Sequence, residues 1–249
     1  MATAIMNLYP GTKFYLALFL GVTAFIVPSY WFGFAVFGFC AAVAFVTRKG
    51  GAYLRAIRNS LMILVIFMFL IRLFFGSGQH EYWRWGNLSI SAESIDTALT
   101  LVAGVLALGS TLLLFFMLTP VKDLTSALAN AGLPPSAIYV ILSAIQMIPE
   151  MRKQSDTIMD AQKTRGVETE GKMFVRMKAF LPTLGPLILS SVASTEERVI
   201  TLESRAFTAP GAKTRLYVVV KRPLDRAIEV SLIILFVLIL GGRIALWLL

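Results

Sequence analysis

The sequence predicts an all-α integral membrane protein with about five membrane helices and a cytoplasmic-side pair of long crossed helices. Of its 249 residues, 57% are hydrophobic and only 15% are charged, whereas a soluble domain carries about 25% charged residues. The apolar residues form runs close to the roughly 20 residues that a membrane helix needs. The charges are concentrated elsewhere, because residues 119–226 contain fifteen of the 23 lysines and arginines.

The membrane helices are predicted from these apolar runs. Proline and serine at positions 28 and 29 separate the first two, since proline cannot continue the backbone hydrogen bonding of a helix. The first run has no basic segment before it and no small-residue cleavage site, so we interpret it as a membrane helix and not a signal peptide. The predicted membrane segments are about 14–27, 30–47, 59–76, 98–118 and 227–248.

Basic residues orient these helices, because cytoplasmic loops carry an excess of lysine and arginine. The predicted loop 48–58 has four basic residues and no acid, whereas 77–97 has one basic residue and three acids. An inside N-terminus places 48–58 and 119–226 in the cytoplasm. The predicted domains are the N-terminal membrane helices 1–118, the cytoplasmic-side region 119–226 and the C-terminal membrane helix 227–249.

The cytoplasmic-side region is too long for an ordinary connection and too polar to span a bilayer. It predicts a moderately apolar helix over 135–149, ended by Pro149, and then a separate polar helix over 150–165. Such a polar helix either bridges between bodies or is unstable alone. We therefore expect a partner protein to cover it.

A second long helix is predicted from Pro186 to Arg205. Small residues in its middle allow another helix to approach closely. We expect the two long helices to cross there, with their C-terminal ends pointing away from the membrane bundle. The small residues are Ser190, Ser191, Ala193 and Ser194. A separate stripe at spacings of four and three is Ile188, Val192, Thr195, Val199, Leu202 and Ala206.

The two helices end on similar triplets, Thr164-Arg165-Gly166 and Ser204-Arg205-Ala206. A purely structural interpretation is available, since arginine in the last turn complements the helix dipole and glycine ends helices in the left-handed conformation. Alanine is a poor left-handed cap, which weakens that interpretation for the second end. The repetition favours docking, because each arginine presents five donors suited to a carboxylate or a helix C-terminus in a partner. One arginine can serve both purposes.

Four stretches, in this order, resemble the transmembrane coupling subunit (T component) of energy-coupling factor transporters, which are ABC-type importers of vitamins and transition metals. Tyr9 stands where the family's opening motif has histidine. The family's paired Ala-Arg-Gly signature is here Thr-Arg-Gly and Ser-Arg-Ala. The stretches are "YPGTKF" (9–14), "TPVKDLTSALANAGLPP" (119–135), "MIPEMRKQSDTIMDAQKTRG" (147–166) and "PTLGPLILSSVASTEERVITLESRAF" (182–207).

The resemblance implies a non-catalytic subunit of a prokaryotic cell (inner) membrane. Its partners would be the lipid bilayer, two cytoplasmic ABC ATPase subunits, which hydrolyse ATP, and one membrane-embedded substrate-binding subunit (S component). The helix ends at Arg165 and Arg205 would each enter a groove of one ATPase, and the S component would determine which vitamin or metal ion is imported. No cofactor, resident metal or nucleic acid is expected.

A self-contained secondary transporter is the alternative. It would be expected to place ionisable groups inside its membrane helices, and only Arg72, Glu229 and Arg243 qualify here. All three lie near helix ends, where long side chains can reach the interface. A membrane enzyme would need clustered catalytic residues, but the chain has one histidine, His80, and one cysteine, Cys40.

Overall fold

The computed structural model describes residues 8–27, 29–75, 81–85, 88–167, 172–211 and 219–248. The predicted helical class is confirmed, with one short antiparallel hairpin in addition, in which β1 pairs with β2. The elements are α1 (Pro10–Ile26), α2 (Tyr30–Val46), α3 (Gly50–Ser60), α4 (Met62–Phe75), β1 (Glu81–Trp85), β2 (Leu88–Ser91), α5 (Ala92–Leu118), α6 (Val121–Asn130), α7 (Pro135–Thr164), α8 (Met173–Ser204) and α9 (Pro223–Leu248).

Within the described part of the chain, α5 is the one unbroken helix that is both long and apolar enough to cross a bilayer. Helices α3 and α4 meet these conditions together, with a bend of 47° between them. Helices α1 and α2 are apolar but have 17 residues each, at the short end of the range for a membrane helix. Five membrane helices therefore stay a prediction.

The predicted loop 48–58 is wrong, because α3 occupies most of it. Gly50, Tyr53 and Ile57 are buried at helical spacing, while Arg55 and Arg58 are exposed. The Tyr53 hydroxyl donates a hydrogen bond to the Ser110 carbonyl of α5 at 3.4 Å. Buried side chains at every third or fourth position make this basic segment an amphipathic helix.

Helix α5 is central to the bundle and packs against α1, α2 and α4. Its contacts with α1 and α2 use glycine, because a Cβ at Gly33 would lie 2.7 Å from the Ala103 backbone and one at Gly21 would lie 2.6 Å from Leu108. The buried cluster around these contacts is Ala24, Val36, Cys40, Ala44, Tyr53, Ile57 and Ala107.

We predict that Gly33→Ala lowers the stability of the bundle. The added methyl group meets backbone, which cannot rotate away, so overpacking costs about 1–3 kcal/mol. Gly38→Ala on the same helix is the matched control, since nothing lies within 4 Å of its Cβ position. Thermal unfolding of the detergent-solubilised chain measures both, and equal melting temperatures for the two variants would contradict this packing.

A buried polar cluster fixes the start of α1 to the start of α9. The Asp225 carboxylate accepts hydrogen bonds from the backbone N–H groups of Tyr9 (3.2 Å) and Arg222 (2.9 Å). Glu229 accepts from the Thr12 hydroxyl at 2.8 Å and forms an ion pair with Lys221. The "YPGTKF" stretch thus has a structural role in joining the first helix of the chain to the last.

The chain divides into two compact units. One contains Met1–Asn130 with Val219–Leu249, and the other contains Ala131–Val218. The second unit holds the two long helices, α7 and α8, that the sequence predicts on the cytoplasmic side. The predicted domain boundaries at 118 and 226 were drawn at membrane segments and stay a prediction.

Both long helices are longer than predicted. Helix α7 runs through Pro149 without a break, so 135–149 and 150–165 are not separate helices. Helix α8 begins at Met173 instead of Pro186 and contains two prolines in its interior, Pro182 and Pro186. At 1.5 Å per residue, the two helices are each about 45 Å long.

Candidate partner-docking helix ends

Helices α7 and α8 pack against each other in antiparallel order. Near the end of α7, the Thr183 hydroxyl contacts the Met159 sulfur at 3.9 Å. Further along, the Ser190 hydroxyl donates to Gln154 Oε1 at 3.3 Å. Beyond the end of α8, the Phe207 ring lies 5.4 Å from the Tyr139 ring, between ring centroids. Residue numbers rise along one helix as they fall along the other.

The face of α8 that contacts α7 is different from the apolar stripe seen in the sequence. That stripe is partly exposed, with Ile188 56% and Val192 50% accessible. The buried residues are Thr183 and Leu187, which lie on the face that contacts α7.

Three of the four predicted small residues are on or beside this face. Ser190 contacts Gln154, and Ser191 and Ser194 are half-buried, while Ala193 is exposed. The Ser191 and Ser194 hydroxyls donate to carbonyls of their own helix at 2.8 and 3.2 Å. Their hydroxyl groups are therefore hydrogen-bonded within α8. They present small side chains, with no unpaired hydroxyl, to a neighbouring helix. Their role at a helix crossing stays a prediction.

The first predicted docking end, Thr164-Arg165-Gly166, is a Schellman motif. Gly166 has a φ of +86°. Its N–H donates to the Lys163 carbonyl at 3.0 Å, and the Val167 N–H donates to the Gln162 carbonyl at 3.1 Å. These two bonds satisfy carbonyls that the end of a helix otherwise leaves unpaired.

The second end, Ser204-Arg205-Ala206, has the same geometry. Ala206 has a φ of +57°, so alanine takes the left-handed position that the first end gives to glycine. The Ala206 N–H donates to the Glu203 carbonyl at 2.9 Å, and the Phe207 N–H donates to the Leu202 carbonyl at 3.0 Å. The substitution of alanine for glycine has not changed the motif.

The equivalence extends to the side chains. Thr164 donates its hydroxyl to the Ala161 carbonyl at 2.8 Å, and Ser204 donates to the Thr201 carbonyl at 2.9 Å. Arg165 and Arg205 are both the C-cap residue and both are exposed. In each case backbone and hydroxyl groups, and not the arginine, bond three carbonyls of the last turn.

The two arginines are at opposite ends of the helix pair. Arg165 follows the end of α7, whereas Arg205 is two residues before Phe207, which contacts Tyr139 near the start of α7. Twenty-five residues of α7 separate Tyr139 from Thr164. At the helical rise, the arginines are on the order of 35 Å apart.

We predict that Ala206→Gly stabilises the end of α8. A left-handed alanine costs roughly 1 kcal/mol that glycine does not incur, so amide exchange at Ala206 and Phe207 is expected to slow about fivefold. Ala193→Gly, in the exposed middle of α8, is the control and is expected to speed exchange, because glycine weakens a helix interior. Hydrogen exchange read by mass spectrometry measures both, and faster exchange in Ala206→Gly would contradict the left-handed cap.

The sequence interpretation did not identify Tyr139 and Phe207 as a contact. A signal was present for the packing of Phe207 but not for Tyr139, because a Schellman motif is often accompanied by an apolar contact between the residue after the left-handed position and one near the end of the same helix. Leu202 and Phe207 have that spacing, and both are half-buried. His80 lies outside the described residues.

Comparisons with known proteins agree on one family. Residues 2–218 match the family model described as CbiQ, cobalt transport protein. The energy-coupling factor transporter transmembrane protein EcfT of Ruminiclostridium cellulolyticum is 29% identical over 219 residues, covering 83% of this chain and 80% of that protein. The proteins of the same name from Acidaminococcus fermentans and Thermotoga maritima are each 28% identical, covering 95% and 96% of this chain and 91% and 90% of theirs.

Proposed function

Because the chain belongs to the CbiQ family and is the transmembrane (T) component of an energy-coupling factor transporter, we propose that it couples two cytoplasmic ABC ATPase subunits to a membrane-embedded S component. The substrate bound by that S component is a vitamin or a metal ion. The N-terminus and the unit with α7 and α8 are on the cytoplasmic side.

The observation that carries this proposal is the repeated helix end. Two exposed arginines occupy the same position in two equivalent Schellman motifs, at opposite ends of one helix pair. The Schellman bonds at each end are made by backbone groups, so this cap does not require an arginine. A pair of ATPase subunits, identical or different, offers two separate grooves, and the spacing of the arginines suits one groove for each.

The chemistry of each end suits docking into a groove. An arginine fork can bind a carboxylate or the C-terminal carbonyls of a partner helix with two parallel hydrogen bonds. The left-handed residue after each arginine turns the chain away, so the arginine stands at the tip of its helix. Gly166 and Ala206 have little or no side chain to obstruct a groove wall.

The antiparallel packing gives a route for coupling. Helices α7 and α8 contact each other near both ends and in the middle, so a displacement of one tip moves the helix pair as a lever. The pair also exposes large apolar side chains, including Phe174, Leu181 and Leu189. These are suitable for burial against the S component or the bilayer, and ATP-driven movement of the tips would reach the S component through them.

The alternative of a self-contained transporter has less support. Glu229, the acid predicted nearest to a membrane interior, is paired with Lys221 and accepts from Thr12. Arg72 and Arg243 are exposed. These positions suit structural roles or roles at the membrane interface. Among the described residues, the three side chains do not form a substrate site.

Co-purification from the native host tests the proposal. The tagged chain, extracted in mild detergent, is expected to bring down two ABC ATPase subunits and a small, very apolar membrane protein, identified by mass spectrometry. Recovery of the chain alone, under conditions that preserve other membrane complexes, would contradict the coupling role and favour a self-contained transporter.

A further inference from the structure

A groove with one basic end and one apolar end runs along the first turns of α9. It is shallow and open, with a volume of about 800 Å³, and those of its lining residues that the structure describes come from α9 and the segment that precedes it. Its basic end is formed by Lys221, Arg222 and Arg226, and its apolar wall by Ala227, Val230 and Ile234.

The acids of the same segment do not neutralise the basic end fully. Asp225 and Glu229 are buried and are bonded to the start of α1. Lys221 is engaged by Glu229 and lies over the Tyr9 ring at 5.6 Å. Among the described residues, no carboxylate lies within ion-pair distance of the Arg222 or Arg226 guanidinium. Two positive charges therefore face the groove.

The apolar wall continues directly from these charges. Ala227, Val230 and Ile234 follow at spacings of three and four, so they share one face of the helix. Val230 and Ile234 are 50% and 55% exposed, and Ile234 is about 12 Å along the axis from Arg226. An acyl chain beneath a headgroup would extend over such a face.

We propose that this groove binds an anionic phospholipid of the inner leaflet. Arg222 and Arg226 hold the headgroup phosphate, and the upper part of one acyl chain lies along Val230 and Ile234. A soluble anion matches the arginines but leaves the apolar face exposed, whereas a neutral lipid matches the face but not the charge. In the topology predicted from the sequence, this site is at the cytoplasmic end of the last membrane helix, at the depth of the headgroups of that leaflet.

Native mass spectrometry of the full chain in neutral detergent tests this proposal, with phosphatidylglycerol or phosphatidylcholine as the titrant. The double variant Arg222→Gln with Arg226→Gln is expected to raise the dissociation constant for phosphatidylglycerol about thirtyfold, with little change for phosphatidylcholine. Val230→Asn with Ile234→Asn is expected to weaken phosphatidylglycerol as well. An unchanged gel-filtration profile shows that the variants fold.

The matched control is Arg55→Gln with Arg58→Gln, which removes the same charge from the exposed face of α3. An equal loss in this control would overturn the site in favour of diffuse attraction. Displacement of the lipid by inorganic phosphate at the same concentration would overturn it in favour of a free-anion site. Unchanged affinity in the Arg222 and Arg226 variant would overturn it outright.

Discussion

The double change Arg165→Glu with Arg205→Glu is expected to abolish recovery of both ATPase subunits with this chain. Each arginine is an exposed C-cap residue, and backbone groups make the bonds of its Schellman motif. Its donors are therefore available to a partner, and reversing a charge in a partner's groove costs about 2–5 kcal/mol or more. Two such losses, one at each helix end, together are comparable to the whole binding free energy of a complex of ordinary affinity.

The single variants distinguish two docking sites from one. Because the arginines are at opposite ends of the α7–α8 pair, each single change is expected to weaken one contact and to leave a partial complex. Quantitative mass spectrometry of the tagged chain measures ATPase recovery for the singles and the double.

A charge-matched control comes from the same helix. Arg152→Glu with Lys153→Glu makes the same change in net charge at exposed positions in the middle of α7. We expect this variant to retain both ATPases. If it loses them as completely as the tip variant, the general charge of α7 and not the helix ends holds the partners.

Leu187→Ala is expected to loosen the helix pair and to uncouple transport. Leu187 is 7% exposed and lies on the face of α8 that contacts α7. Truncating a buried leucine costs about 2–5 kcal/mol. In the isolated full chain, amide exchange across the middle of α8 is then expected to rise at least thirtyfold.

The matched control is Leu189→Ala, two residues away and 72% exposed. It is expected to leave exchange in the isolated chain unchanged. In the reconstituted complex, Leu187→Ala is further expected to lower uptake per ATP hydrolysed while both ATPases stay bound. Uptake equal to that of the unchanged chain, despite fast exchange, would show that coupling does not pass through this packing.

The predominantly helical fold and most helix positions were predictable, because apolar runs and proline breaks act locally. Pro149 was wrongly predicted to end a helix, because its effect depends on contacts between residues that are distant in sequence. It removes one backbone hydrogen bond, but α7 is held by contacts on both sides of it, through Tyr139 before and Gln154 after. Such tertiary support is not visible in a local pattern.

The positions of the two helix ends were predicted, but their geometry was not. Alanine at 206 was expected to weaken the cap, yet Ala206 takes the left-handed conformation. Contacts beyond the cap, in which Phe207 packs against Tyr139, help to offset the cost. The antiparallel order of α7 and α8, which separates the two arginines, depends on pairings between distant residues and could not be read from either helix alone.

Site-specific photo-crosslinking at the two tips tests the central claim most directly. A photoreactive benzoylphenylalanine at position 165 or 205, in cells of the native host, is expected to form crosslinks to an ABC ATPase subunit from each position. The same residue at position 152 is the control for exposure on α7. The proposed role is contradicted if positions 165 and 205 crosslink only to lipid, or if they crosslink to ATPase no more than position 152 does. The helix ends would then not be the sites that dock into the ATPase subunits.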